Sequence, residues 1–203
     1  LVDKASFPRD KCCGDGLTTG ALRVLEQLGL DPVTVPSWTP VDAAWVRSPS
    51  GREVRFPMPE GPGVYAVVAR RIDLDAALID LARQAGVDVR EGHGFAGGIR
   101  QHDDCVVTEI EGLTEVRARY VIAADGMWSP VRKSLGLSEP GYLGEWHAFR
   151  QYVQGVTGPA AHRLYVWFEP DMLPGYAWSF PLPGGRANVG FGVLRDGERR
   201  IQD

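Results

Sequence analysis

Residues 120–132 read Tyr-Val-Ile-Ala-Ala-Asp-Gly-Met-Trp-Ser-Pro-Val-Arg, and they constrain the fold more than any other stretch of the chain. The run over 120–124 is almost continuously apolar, the pattern of a strand buried on both faces of a parallel sheet. Asp125-Gly126 ends the strand. Gly126 allows a tight turn and a close approach of backbone to a ligand. Ser129 is a good N-cap, and Pro130 suits the first helical position. A helix is therefore expected over residues 129–135, its start presenting free N–H groups and a positive dipole end that suit a pyrophosphate. Arg132 adds a charge-assisted contact. Asp-Gly alone marks many ordinary strand–turn–helix junctions. The apolar strand, Asp-Gly, Ser and Arg in this spacing favour a nucleotide.

The remaining pattern extends an α/β reading. Val2 and Asp3 read as the end of a strand. Residues 20–28 carry Leu22, Leu25 and Leu28 at helical spacing, with Gly29 as the stop. Residues 44–47 and 53–56 flank Ser-Pro-Ser-Gly, a hairpin signal. Residues 65–69 form a short apolar strand. An amphipathic helix over 74–84 puts Leu74, Leu78 and Leu81 on one face, with Gly86 after its end. A strand is expected at 87–89 and an antiparallel meander over 95–116. From His147 onward short β-rich runs dominate, at 149–153, 163–168, 176–180 and 187–193. The order is α/β first and β later, a nucleotide-binding layer sharing the chain with an antiparallel substrate sheet.

Composition excludes several classes. With a formal net charge of -4 and no block of like charges, the chain lacks the clustered Lys and Arg that nucleic-acid binding needs. No apolar run approaches the ~20 residues that span a bilayer. Cys12, Cys13 and Cys105 are an odd number, two of them adjacent, which points to reduced thiols in a cytosolic compartment. His93, His102, His147 and His162 are scattered without metal-ligand spacing, and a hydrolase's Gly-x-Ser-x-Gly elbow does not occur. Residues 1–4 read as the last turn of a strand, and 197–203 is polar and closes no element. The chain reads as an internal piece.

Several residues carry candidate chemistry. Asp3 follows two apolar residues, as does the acidic residue that bonds the adenosine ribose at the end of the second strand in dinucleotide folds. The G-x-G-x-x-G turn that precedes such a strand is not in the chain. Arg70 and Arg71 stand near a helix start, where the dipole disfavours cations unless an anion is close. Cys13 lies on a Gly-rich loop beside charged residues, where a functional cysteine and a small buried residue are equally good readings. Trp167, Phe168, Leu173, Tyr176, Trp178 and Phe180 suit either an aromatic β core or a long apolar pocket, with the polar tips of Tyr176 and Trp178 orienting a ligand. Alternation puts Tyr176, Trp178 and Phe180 on one face.

Together these pieces resemble the FAD-dependent oxidoreductases of the p-hydroxybenzoate-hydroxylase-like fold, across essentially the whole chain. Asp125-Gly126 with Ser129 and Arg132 resembles that group's second flavin motif. Arg71 with Leu74, Asp75 and Leu78 resembles its arginine-led helix, whose arginine reaches the FAD. Within the group, the loop Phe-Pro-Arg-Asp-Lys-Cys-Cys-Gly-Asp-Gly-Leu at 7–17 is similar to that of the geranylgeranyl reductase family. Pro-Gly-Tyr-Ala-Trp-Ser-Phe-Pro at 174–181, followed by Gly190 and Gly192, is similar to that family's Tyr-x-Trp-x-Phe-Pro signature. Two departures stand out: Cys12 where a proline is usual, and Gly20 where a basic residue often follows.

The resemblance implies a Rossmann-like FAD layer, incomplete here, over 1–37 and 69–137, and an antiparallel substrate domain over 38–68 and 138–203. It implies FAD contacts from Asp3, Arg71, Asp125, Gly126, Ser129 and Arg132, and substrate contacts from Tyr176, Trp178 and Phe180. Cys13 and Tyr176 become the candidates to shape the reaction site or relay a proton. The implied reaction is reduction of isoprenoid carbon–carbon double bonds by hydride from reduced flavin, on a geranylgeranyl or polyprenyl lipid or a prenyl diphosphate. The reductant, NAD(P)H or ferredoxin, is unread. A cytoplasmic protein that touches a membrane surface transiently fits such a substrate, although no basic amphipathic helix would anchor it. This piece alone is expected to bind FAD poorly. The rival readings are a flavin monooxygenase acting on an aromatic or quinone, and a non-catalytic nucleotide- or lipid-binding module.

Overall fold

The structure is a computed structural model and describes residues 1–195; the polar stretch 197–203 lies outside them. In chain order the elements are β1 (Val2–Asp3), β2 (Gly16–Leu17), α1 (Thr19–Gln27), β3 (Thr39–Pro40), β4 (Ala43–Arg47), β5 (Glu53–Pro57), β6 (Val67–Val68), α2 (Arg71–Gln84), β7 (Arg90–Glu91), β8 (Phe95–Gln101), β9 (Val106–Ile110), β10 (Val116–Ala118), α3 (Pro130–Ser134), β11 (Trp146–Gln154), β12 (Leu164–Trp167), β13 (Tyr176–Leu182) and β14 (Arg186–Leu194). They divide into two compact units. One comprises Leu1–Phe7 with Ala82–Leu143, the other Pro8–Leu81 with the described residues from Gly144 onward.

The second unit is built on a six-stranded sheet in the order β11-β14-β13-β12-β4-β5. All its neighbours are antiparallel except β12 and β4, which run parallel. The expected hairpin joins β4 to β5, turning through Gly51 at φ +81°. The β13–β14 hairpin turns through Gly184 and Gly185, both at positive φ, which glycine adopts without strain.

A smaller sheet, β2-β6-β3, lies in the same unit with α1 and α2 as far as Leu81. Thr18 caps α1 by accepting from the Ala21 N–H, and Gly29 at φ +79° closes it. The leucine spacing serves its purpose: Leu22 is buried with Leu30, Val35, Val67, Ala69, Leu74 and Ala77. Burying an aliphatic side chain of this size contributes about 1.5–3 kcal/mol. Helix α2 starts at Arg71, one turn before the apolar spacing begins, because Asp73 in the first turn suits the helix N-terminus. A second cluster of Val41, Val68 and Leu182 packs with Tyr152, Leu164 and Phe180.

In the first unit β1 pairs in parallel with β7, so the strand expected at 87–89 occurs three residues later. The meander is present as β8-β9-β10. Its β8 edge is irregular at Gly97 and Gly98, both at positive φ, where the register shifts. Residues 120–124 depart from expectation. They form no strand, and Tyr120 and Ile122 are 83% and 89% exposed. A strand buried on both faces needs a hydrogen-bonding neighbour and covering layers. Among the described residues no strand pairs with this run, so its apolar side chains face outward.

Candidate functional site

Two groups of candidate residues occur, one in each unit. In the first, the Asp3 carboxylate accepts from the Ala5 N–H at 2.9 Å and so shapes the turn after β1. Gly126 holds φ +87°, and a Cβ there would meet nothing within 4 Å. The glycine is required by the backbone angle, and the space beside it is open. Ser129 is buried and caps α3, accepting from the Arg132 N–H at 2.9 Å. Asp125 Oδ2 accepts from the Val131 N–H at 3.1 Å. The sequence led us to expect free N–H groups at this helix start. They are not free: Pro130 has none, and the next two are bonded to Asp125 and Ser129. The residues that signal the junction satisfy it themselves. Desolvation is the largest single influence on Asp125 and opposes its ionisation, but hydrogen bonds from Ser129 and the Val131 N–H, with Arg132 nearby, together hold its carboxyl below the ordinary value. The side chains of Asp125 and Arg132 are exposed, and Arg132 also donates to the Met127 carbonyl at 2.5 Å. A cavity of about 310 Å³ is lined by these residues with Ala123, Leu135 and Leu137.

In the second unit the loop before β2 lies against one face of the large sheet. Gly14 and Gly16 face the rings of Trp178 and Phe180, where a Cβ would come within 3.5 and 3.2 Å of the Phe180 ring. The two stretches singled out in the sequence, distant along the chain, thus meet. Tyr176, Trp178 and Phe180 share a face as expected, with ring centroids 6.0 and 6.2 Å apart in succession. Tyr176 is half-exposed and Trp178 is buried. The Trp178 indole N–H is not available to orient a ligand, because it donates to Asn188 Oδ1 at 2.9 Å.

The expected apolar pocket is also differently composed. A cavity of about 710 Å³ does lie on the sheet, but of the six aromatic and apolar residues named for it only Trp167 and Trp178 line it. Its other walls include Phe149, Ala177, Ser179, Val189 and Phe191. By strand alternation these point to the face opposite Tyr176 and Phe180.

Sequence reasoning missed the centre of the loop's attachment. Asp15 is 1% exposed and has φ +65° without being glycine. Its carboxylate accepts from the Tyr152 hydroxyl at 2.7 Å, from Asn188 Nδ2 at 2.8 Å and from the Arg71 N–H at 3.3 Å. Asn188 Nδ2 donates also to the Cys13 carbonyl at 2.9 Å. Burial pushes the Asp15 carboxyl up, against the pull of these hydrogen bonds and of Arg150. Burial, then the Asp15 carboxylate, pushes the Tyr152 hydroxyl well up, so it remains a donor. Arg150 stacks 4.3 Å from the Tyr152 ring centre and holds both Asp10 oxygens at 2.6 Å. The Arg71 guanidinium grips Asp75 at 2.7 and 2.9 Å. That hydrogen bond raises its pKa against desolvation. Cys13 is half-buried and Cys12 exposed, both as free thiols.

The FAD binding domain family matches residues 1–166. A menaquinone reductase of Mycobacterium tuberculosis (strain ATCC 25618 / H37Rv) is 34% identical over 98% of this chain and 50% of its own length. Digeranylgeranylglycerophospholipid reductase 2 of Methanopyrus kandleri is 31% identical over 95% of this chain and 48% of its own. In the crystal structure of a geranylgeranyl bacteriochlorophyll reductase-like protein from Thermoplasma acidophilum the fold recurs with a TM-score of 0.81 at 24% identity, over 98% of this chain and 51% of that one. The chain spans about half the length of the curated relatives it matches.

Proposed function

This chain belongs to the FAD binding domain family, and from that premise we propose that its protein is an FAD-dependent oxidoreductase reducing carbon–carbon double bonds of an isoprenoid group. FAD is the family's cofactor; in its reduced form, when bound, it supplies hydride. The observation that carries the reading is the meeting of the Cys13 loop with the Tyr176–Phe180 row on one sheet face. Relatives named menaquinone reductase and digeranylgeranylglycerophospholipid reductase support it.

The residues of the smaller cavity fit a flavin dinucleotide. Asp125 stays anionic and exposed, which suits hydroxyl donors. Gly126 leaves open space beside the backbone, and Arg132 is an exposed cation for a phosphate. Asp3 completes the proposed contacts of this unit, with Ser129 holding the helix start; in the other unit Arg71 is proposed for the flavin by itself, with the donors it does not give to Asp75. By ligand, residues 1–37 and 69–137 serve the flavin, and 38–68 with 138–203 the substrate. Tyr176, Trp178 and Phe180 form an apolar wall that excludes water from the alkene. Cys13 and Tyr176, each with a movable proton, are the candidates to protonate the carbon that does not receive hydride. No helix among the described residues is long and apolar enough to cross a membrane, and we place the protein in the cytoplasm with transient contact to a lipid surface.

The test is mass spectrometry of the product formed by the full-length protein from polyprenyl quinone and geranylgeranyl lipid under reducing conditions. A gain of hydrogen pairs is expected. A gain of one oxygen, only in air, would make it a monooxygenase. In the same assay Cys13→Ala or Tyr176→Phe should slow turnover of bound substrate by about 100-fold, within the range for a lost general acid. A variant with unchanged turnover removes that residue from the chemistry.

A further inference from the structure

We propose that Asp15, Asn188 and Tyr152 are the positioning residues that hold the Cys13 loop on the sheet and couple it to the aromatic row. The inference rests on the reading of Cys13 as a functional residue and deepens it.

A non-glycine residue at φ +65° is unfavourable, and such a conformation persists only where its surroundings over-determine it. The surroundings of Asp15 do so. Its carboxylate takes three donors from three elements: Arg71 at the start of α2, Tyr152 of β11 and Asn188 of β14. Its carbonyl accepts from the Ala69 N–H at 2.9 Å. Tyr152 and Asn188 are directly opposite in the β11–β14 register, so both side chains leave the same sheet face.

Burying a carboxylate is costly, and apolar packing fastens a loop more cheaply. What a fully satisfied polar network adds is one defined geometry. Here that geometry brackets the two cysteines. Arg150 holds Asp10 and the Lys11 carbonyl on one side. Asn188 holds the Cys13 carbonyl on the other. Between these anchors Cys13 is half-buried, while Cys12 is exposed. Asn188 cannot rotate away, since its Oδ1 is fixed by Trp178, the middle ring of the row that ends in Tyr176. Cys13 and Tyr176 are thereby referenced to one amide side chain.

The experiment uses the full-length, flavin-loaded protein carrying Cys12→Ser, so that Cys13 alone reports on the loop. Its rate of alkylation by iodoacetamide is followed by peptide mass spectrometry. Asn188→Ala should raise that rate about tenfold, the ratio given by about 1.4 kcal/mol of lost anchoring. Tyr152→Phe keeps the ring under Arg150 and removes only the hydroxyl, and should raise it severalfold. It carries the test if Asn188→Ala does not fold. Alkylation within about twofold of the parent in the folded variants overturns the proposal, because loop opening would not depend on these bonds.

Turnover separates the two readings. Asn188→Ala should lower kcat with KM unchanged, and should lower it no further when placed on Cys13→Ala. An equal fall on that background overturns action through Cys13. If Cys13→Ala turns over normally while alkylation still accelerates, the positioning holds and the catalytic reading of Cys13 fails.

Discussion

Gly190 gives the sharpest test of the sheet's packing. It lies in β14 opposite Trp178 of β13 and Arg150 of β11. A Cβ there would stand 2.3 Å from the Phe149 carbonyl oxygen and 2.3 Å from a carbon of the Trp178 ring. Ordinary contacts between such atoms need about 3.5–4.0 Å, so both must give way by more than an ångström. One is backbone of a paired strand, and the other is a buried indole bonded to Asn188. Overpacking of this kind costs about 1–3 kcal/mol. Displacing the indole also strips Asn188 Oδ1 of its donor, about 1–3 kcal/mol more. The two effects share one movement and do not fully add. We therefore expect Gly190→Ala to destabilise by about 3 kcal/mol, which lowers Tm by about 6–12 °C in a unit of this size. Thermal unfolding of the full-length protein, followed by circular dichroism, reads the shift. Gly126→Ala is the comparison: it meets no atom, and only its φ of +87° is strained, a cost of about 1–2 kcal/mol. A Gly190→Ala shift no larger than that of Gly126→Ala would refute the packing argument.

Three further outcomes follow from local features. Ser129→Ala removes the cap of α3 and should lower stability by about 1 kcal/mol in a denaturant titration, while Ser129→Asp keeps most of it. The folded-state pKa of Asp15 is raised by burial, so its stabilising contribution is complete below the unfolded value of about 3.9 and is lost as pH rises through the folded one. Parent stability minus that of Asp15→Asn should therefore fall as pH rises across that window; a difference that stays flat or grows contradicts the burial. Leu22→Ala, in the core with Leu74 and Ala77, should cost about 2–5 kcal/mol by thermal melt.

Elements whose signal is local were legible in the sequence. Leucine spacing located α1 and α2, and the Ser-Pro-Ser-Gly turn located the β4–β5 hairpin. The Cys13 loop and the aromatic row were legible as separate stretches, and alternation ordered the row. The bonds that join them were not. Asp15 meets Tyr152 and Asn188 across 137 and 173 residues of chain, and no periodicity encodes such a pairing. The available signal was faint: polar residues within β-rich runs, and an aspartate between two glycines. The α3 start was misjudged for another reason. The side chains that mark a helix N-terminus in sequence are acceptors, and they consume the N–H groups they advertise. The run over 120–124 was read from side chains alone, whereas a buried strand is made by its neighbours.

That run has a colloidal consequence. Tyr-Val-Ile-Ala-Ala is β-prone and uncharged, and it lies open along its length. Segments of this kind recruit one another across molecules by strand addition. The 203-residue chain on its own should scatter light increasingly with concentration and partition into inclusion bodies. Ile122→Lys, at a side chain 89% exposed, should restore clear solutions while leaving Tm unchanged, since a lysine there displaces no intramolecular contact and repels a second copy.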